Sequence, residues 1–156
     1  MANKYAARKM FDEGVAAYVK KDFKASLGLF SRAIKYDSTL ALFFVCRGAA
    51  SLKLGSARDA ITDFNQAIKL EPTYARAFHL RGLAYEKLGK LARAFQDFDR
   101  SLEIDPEYGA AYHSRNSVLS SPKASPQALR DFEIVNHLMA MRLTQFGDKV
   151  LSDLEI

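Results

Sequence analysis

The sequence predicts an all-α fold, an α-solenoid of antiparallel helix pairs, and three observations carry that prediction. Gly14, Gly48 and Gly82 recur at a 34-residue interval, and a fixed period of this length marks a stack of repeated supersecondary units. The second and third units then agree point by point. Arg47-Gly48 matches Arg81-Gly82, Leu54-Gly55 matches Leu88-Gly89, Asp63-Phe64 matches Asp97-Phe98, and Glu71-Pro72 matches Asp105-Pro106. Within a unit, apolar and small residues fall at helical spacing on either side of a turn. Phe78, Gly82, Tyr85 and Leu88 precede Gly89, and Ala94, Phe95, Phe98 and Leu102 follow it. Pro106 forbids continuation of that second helix.

The units run over about 7–40, 41–74 and 75–108, with a partial fourth over 109–142, as a single domain over 1–156. The first unit is diverged but keeps Ala16, Phe30, Ala33 and Ile34, with Ser38 where later units have proline. In the fourth, Tyr112, Arg115, Ala128, Asp131 and Phe132 hold the register, while Asn116 replaces the glycine. Ser125-Pro126 reads as a helix start. The apolar pattern beyond it predicts a long C-terminal capping helix to about Phe146, within a helix and tail over about 125–156. Gly48, Gly82, Ala60 and Ala94 mark close helix approaches, with Phe64, Phe98 and Tyr85 filling the adjoining space. A lone pair of such helices leaves an apolar face open, so stacking supplies stability.

In period and motif the chain resembles the tetratricopeptide repeat (TPR) family, on Phe44, Gly48, Ala60, Phe64, Ala67 and Pro72, and on Phe78, Gly82, Tyr85, Ala94, Phe98 and Pro106. The resemblance covers roughly residues 7 to 135. It implies a right-handed superhelix with three full repeats and a degenerate fourth, and first helices that line a concave groove. One departure is informative. The family's usual leucine before the glycine is replaced by Arg47, Arg81 and Arg115, and 16 residues later stand Asp63, Asp97 and Asp131. The first unit lacks both partners, with Glu13 and Leu29 in their places. Helix-to-helix ion pairs Arg47–Asp63, Arg81–Asp97 and Arg115–Asp131 are expected; the rival is pairing between neighbouring repeats, such as Asp63 with Arg81.

Mapped onto this sequence, the family's groove takes the positions three before and one after each glycine: Phe11 and Val15, Val45 and Ala49, His79 and Leu83, then His113 in the fourth unit. One turn earlier lie Arg8, Leu42 and Arg76; one turn later lie Tyr18, Val19, Leu52, Lys53, Glu86 and Lys87. Such a surface suits an amphipathic helix or extended peptide with apolar anchors and some acidic character. The family's carboxylate clamp, which holds acidic C-termini of cytosolic chaperones, needs Lys, Asn, Asn, Lys and Arg where this chain has Phe11, Val15, Cys46, Arg76 and Leu80. Only Arg76 could bind a carboxylate, so a clamp-type co-chaperone is rejected. The tail over 147–156 combines Val150, Leu151, Leu154 and Ile156 with Asp148, Asp153 and Glu155. It has the character the groove calls for, which makes self-association or a homodimer through the C-terminal helix or tail an alternative.

The remaining signals narrow the function by exclusion. A net charge of +5 raises an RNA-associated helical repeat protein as the rival. Yet Asp12, Glu13 and Asp22 interrupt the basic residues between Lys4 and Lys35, and Phe30, Phe64 and Phe98 sit at core positions rather than among exposed cations. Nucleic acid is therefore not the expected partner. The apolar run from Leu40 to Cys46 is too short to insert in a membrane. One cysteine makes no internal disulfide, which fits a reducing compartment, and a soluble cytoplasmic protein is expected. Walker, dinucleotide, nucleophile-elbow and zinc-protease motifs are missing. His79 and His113, one repeat apart, are expected as a groove ladder spaced by about 10 Å, too far to share a metal. No enzyme, cofactor or metal is expected. The whole reads as a protein-interaction scaffold or adaptor, complete or as one domain of a larger protein.

Overall fold

Seven α-helices run through residues 2–121, the part of the chain that the computed structural model describes. They are α1 (Ala2–Val19), α2 (Phe23–Tyr36), α3 (Ala41–Lys53), α4 (Ala57–Leu70), α5 (Ala75–Lys87), α6 (Leu91–Ile104) and α7 (Gly109–Leu119). The chain divides into two compact units, Met1–Val118 and Leu119–Ile156; the first is the one described. The expected capping helix, the Arg115–Asp131 pair and the tail lie outside the described residues. Within the first unit, α1 packs on α2, α3 on α4 and α5 on α6 as antiparallel pairs. The pairs join through α2 against α3 and α4 against α5, and α1, α3 and α5 lie side by side.

Turn chemistry sets the pairs. Gly55 and Gly89 adopt φ of +82° and +71° after α3 and α5, the left-handed conformation that ends a helix with its last carbonyls satisfied. The next residue's N–H reaches back in each: Ser56 to the Ser51 carbonyl and Lys90 to that of Tyr85, both at 2.9 Å. Lys21 fills the same place after α1 with φ 63°. There the Asp22 N–H reaches the Ala17 carbonyl at 3.0 Å, and the Asp22 carboxylate caps α2 by accepting from the Ala25 N–H at 3.1 Å. α4 and α6 stop at Leu70 and Ile104, ahead of Pro72 and Pro106.

The two helices of a pair meet at one contact that repeats. Phe30, Phe64 and Phe98 are wholly buried, and each ring lies over the glycine 16 residues before it. A methyl group on Gly14, Gly48 or Gly82 would sit 2.7, 2.6 or 2.5 Å from a ring carbon. Ala60 and Ala94, the small residues of the facing helix, are fully buried.

The arginine before the glycine makes the second repeating contact at the same offset. Arg47 donates to both oxygens of Asp63, at 2.9 and 2.6 Å, and Arg81 to both of Asp97, at 2.7 Å each. These are the expected within-pair bridges. The third guanidinium nitrogen reaches the preceding repeat, so a link between neighbouring repeats, the rival reading, exists beside the within-pair bridge, with partners other than Asp63. Arg47 Nη1 points to Ser31 Oγ at 3.4 Å, Arg81 Nη1 to Asn65 Oδ1 at 2.9 Å, and Arg115 Nη1 to Asp99 Oδ1 at 3.1 Å. Each arginine also lies over the aromatic ring one turn before it, Phe44, Phe78 or Tyr112, at 5.7, 5.4 and 5.2 Å. One side chain thus ties together both helices of its own repeat and the second helix of the repeat before.

Substitutions at each contact, with Gly28 as the open control, test them by urea denaturation. Gly82→Ala overpacks the Phe98 contact and is expected to cost about 1–3 kcal/mol. Gly28→Ala meets nothing within 4 Å and gains about 0.5–1 kcal/mol of helix propensity. Arg81→Ala leaves the buried Asp97 carboxylate unpaired and is expected to cost about 3 kcal/mol, with Asp97→Asn in the same chain recovering part of it. Equal effects of the two alanines, or an innocuous Arg81→Ala, would contradict the packing described.

Candidate functional site

The first helix of each pair turns one side to its second helix and another outward, and the two differ by a single residue of register. Positions three before the glycine face the interior. Phe11 stacks on Phe43 at 4.7 Å and tilts against Phe30 at 5.5 Å. Val45 is 2% exposed, in a cluster with Phe44, Ala41 and Ala77. His79 is buried as well. Phe11, Val45 and His79, expected on the groove surface, lie in the core. A four-residue step turns a helix by a net of only about 40°, so the positions three before and one after the glycine straddle the edge between the buried and open sides. The open stripe takes the residue two before the glycine with the one after it, as Leu80 and Leu83 do.

That stripe reads Leu42, Cys46, Ala49 and Lys53 on α3, and Arg76, Leu80, Leu83 and Lys87 on α5. Between them is a hollow of about 700 Å³. Tyr18, Ala49, Leu52, Lys53, Leu83, Glu86 and Lys87, all expected there, line it together with Leu80. Leu80, which the sequence offers only as a clamp-equivalent position, forms part of the apolar wall. The other predicted residues lie outside that lining. Val15 and Leu42 are 38% and 41% exposed. Arg8 is exposed and paired with Asp12 at 3.0 Å, and His113 is exposed on α7. With His79 buried and His113 at the surface, the two make no ladder.

Arg76 organises the electrostatics of this face. It is exposed, and no carboxylate lies within ion-pair reach of it among the described residues. Its charge is felt at Tyr18, Cys46, Tyr74, His79 and Tyr108. Burial pushes the Cys46 thiol up to about 11, against the pull of Arg76, so it stays a neutral thiol. Burial first, then Arg76, holds the His79 imidazole below its ordinary value. The neutral ring is satisfied at both nitrogens, with Ser114 Oγ 2.9 Å from Nε2 and the Tyr108 hydroxyl 3.2 Å from Nδ1. His79 therefore joins α5 to α7 and to the loop before it. Among the described residues, no group of three His, Cys, Asp or Glu side chains could hold a metal ion, and no helix is long and apolar enough to cross a membrane.

Comparison with known proteins agrees with this architecture. A TPR repeat model matches residues 52–89, and a tetratricopeptide repeat model matches 75–108. The Arabidopsis OM64 TPR domain superposes with a TM-score of 0.72 at 28% identity, over 74% of this chain and 96% of that one. The second TPR domain of human RPAP3, in complex with the HSP70 peptide SGPTIEEVD, gives 0.70 at 28% identity, over 77% and 98%. The second TPR of Spaghetti (RPAP3), bound to the HSP90 peptide SRMEEVD, is 34% identical over 67% of this chain and 96% of its own, with a TM-score of 0.64. The search of curated proteins returned no match. The chain belongs to the tetratricopeptide repeat family.

Within the TPR pattern, the buried imidazole gives this domain a pH dependence. Because the folded domain holds His79 below the ordinary imidazole value, the unfolded chain takes up the proton first as pH falls. The associated stability is complete above about pH 6.5 and declines below it, with a slope no steeper than the one-proton limit of about 1.4 kcal/mol per pH unit. Urea midpoints at neutral pH and at about pH 5.5 should differ, and the difference should shrink in His79→Gln. An unchanged difference in the variant would assign the pH dependence elsewhere.

Proposed function

We propose that this TPR domain is a non-catalytic adaptor, a short right-handed solenoid whose first helices hold a segment of another polypeptide. The observation that carries this reading is the hollow between α3 and α5. Leu52, Leu80 and Leu83 offer apolar contact, Lys53 and Lys87 stand at its edge, and Arg76 lies a turn before Leu80 with no carboxylate paired to it among the described residues. Glu86 is the acidic residue in the lining. A segment with branched apolar anchors and acidic flanks is complementary to that arrangement. The RPAP3 domains similar to this chain are bound to the peptides SGPTIEEVD and SRMEEVD, which supports peptide capture as the mode.

The chemistry of capture differs from a carboxylate clamp. Phe11 is packed in the core and the Cys46 thiol is neutral, so Arg76 alone among the clamp-equivalent residues brings positive charge. Affinity then rests on apolar anchoring, with Arg76, Lys53 and Lys87 selecting acidic flanks. The chain's own 147–156 segment has that composition, so self-association is one use of the same surface.

Fluorescence titration with a synthetic peptide of the 147–156 sequence and with SRMEEVD tests both points. The first is expected to bind more tightly. Leu83→Glu should weaken it at least tenfold, equivalent to about 1.4 kcal/mol, and Arg76→Ala by a few-fold, with far-UV circular dichroism unchanged. Affinity indifferent to Leu83→Glu would remove the hollow from the binding site. Tighter, Arg76-dependent binding of SRMEEVD would reinstate the clamp.

A further inference from the structure

We propose that a notch between α2, α3 and α4 receives a carboxamide, the side chain of an asparagine or glutamine on a partner protein. The notch measures about 300 Å³ and shares no lining residue with the hollow between α3 and α5. It arises from a gap in the arginine ladder. In the two later rungs the Nη1 of Arg81 and of Arg115 meets an oxygen at 2.9 and 3.1 Å, from Asn65 and Asp99. In the first rung the equivalent residue is Ser31. Its hydroxyl is too short to fill the place, leaving Arg47 Nη1 a long contact of 3.4 Å and open space beside it. The position that an acceptor oxygen occupies elsewhere is thus left for a group from outside.

The charges around the notch choose the group. The guanidinium of Arg47 is already matched by Asp63, bound through both oxygens at 2.6 and 2.9 Å. Asp59 adds a second carboxylate to the lining, so the surroundings carry an excess of negative charge. An incoming carboxylate would be repelled. A carboxamide places its carbonyl oxygen on Arg47 Nη1, as Asn65 does on Arg81, and turns its NH2 donors toward the carboxylates. Leu27 supplies an apolar wall for the side-chain methylenes, and Ser51 a further polar contact.

The test follows the Nε–Hε signal of Arg47 by NMR in the full chain, titrated to molar concentration with acetamide or with acetate. Acetamide is expected to shift the signal saturably, and acetate to shift it less. Ser31→Asn, which completes the rung from within, should abolish the acetamide response, while Ser31→Ala, which leaves the notch open, should keep it. The proposal is overturned if neither probe gives a saturable shift (a notch filled by water only), if acetate matches acetamide, or if Ser31→Asn responds like the unaltered chain. Peptide binding in the hollow is read separately, so its failure and this one are distinguishable.

Discussion

A phenylalanine ring lying on a glycine holds this structure together. Two helices that bury a benzyl ring between them normally stand apart by the width of a side chain on each. Here one side contributes none, since any Cβ on Gly14, Gly48 or Gly82 would sit inside contact distance of the ring. The rings of Phe30, Phe64 and Phe98 can therefore be fully enclosed while the backbones remain close. The contact recurs at one offset in each of the three described pairs, and a repeated contact of this kind is what lets like units stack on one another. The 34-residue period is the sequence record of that constraint.

The arginine one residue before the glycine is placed by the same contact. Once Gly48 and Gly82 are held against Phe64 and Phe98, Arg47 and Arg81 face Asp63 and Asp97, the neighbours of those rings. The half-buried guanidinium is then held at both ends, by the carboxylate and by the aromatic ring beneath it. Its third nitrogen is left to bind the previous repeat. A leucine at this position could pack within its own pair but could not form the polar link to the neighbouring one. The paired charges are worth little as net stabilisation; what they specify is register, both within a repeat and between repeats.

These features differ in how openly the sequence displays them. The period, the glycine–phenylalanine contact and the within-pair Arg–Asp bridges were legible because each is a fixed offset repeated along the chain. Pairing between neighbouring repeats was legible as a possibility but its partners were not, because three different residue types, Ser31, Asn65 and Asp99, occupy that position. The groove was legible only to one residue of register. Ala49, Leu52, Lys53, Leu83 and Lys87 line the hollow as the spacing suggested, whereas Phe11, Val45 and His79 turned inward. Apolarity could not separate the two sides, since both carry apolar residues. His79 was the more deceptive case. An imidazole reads as a surface group until partners such as Ser114 and Tyr108, on later elements, are seen to satisfy it.

The most direct test of this account is a double-mutant cycle between Gly82→Ala and Phe98→Leu, read by equilibrium unfolding. The ring and the missing methyl group share one space, so each change should be less harmful in the presence of the other. The account predicts a coupling of at least about 1 kcal/mol in that direction, within the range for residues in contact. Strict additivity would show that the glycine is not there for the ring, and the explanation of the repeat geometry would fail with it.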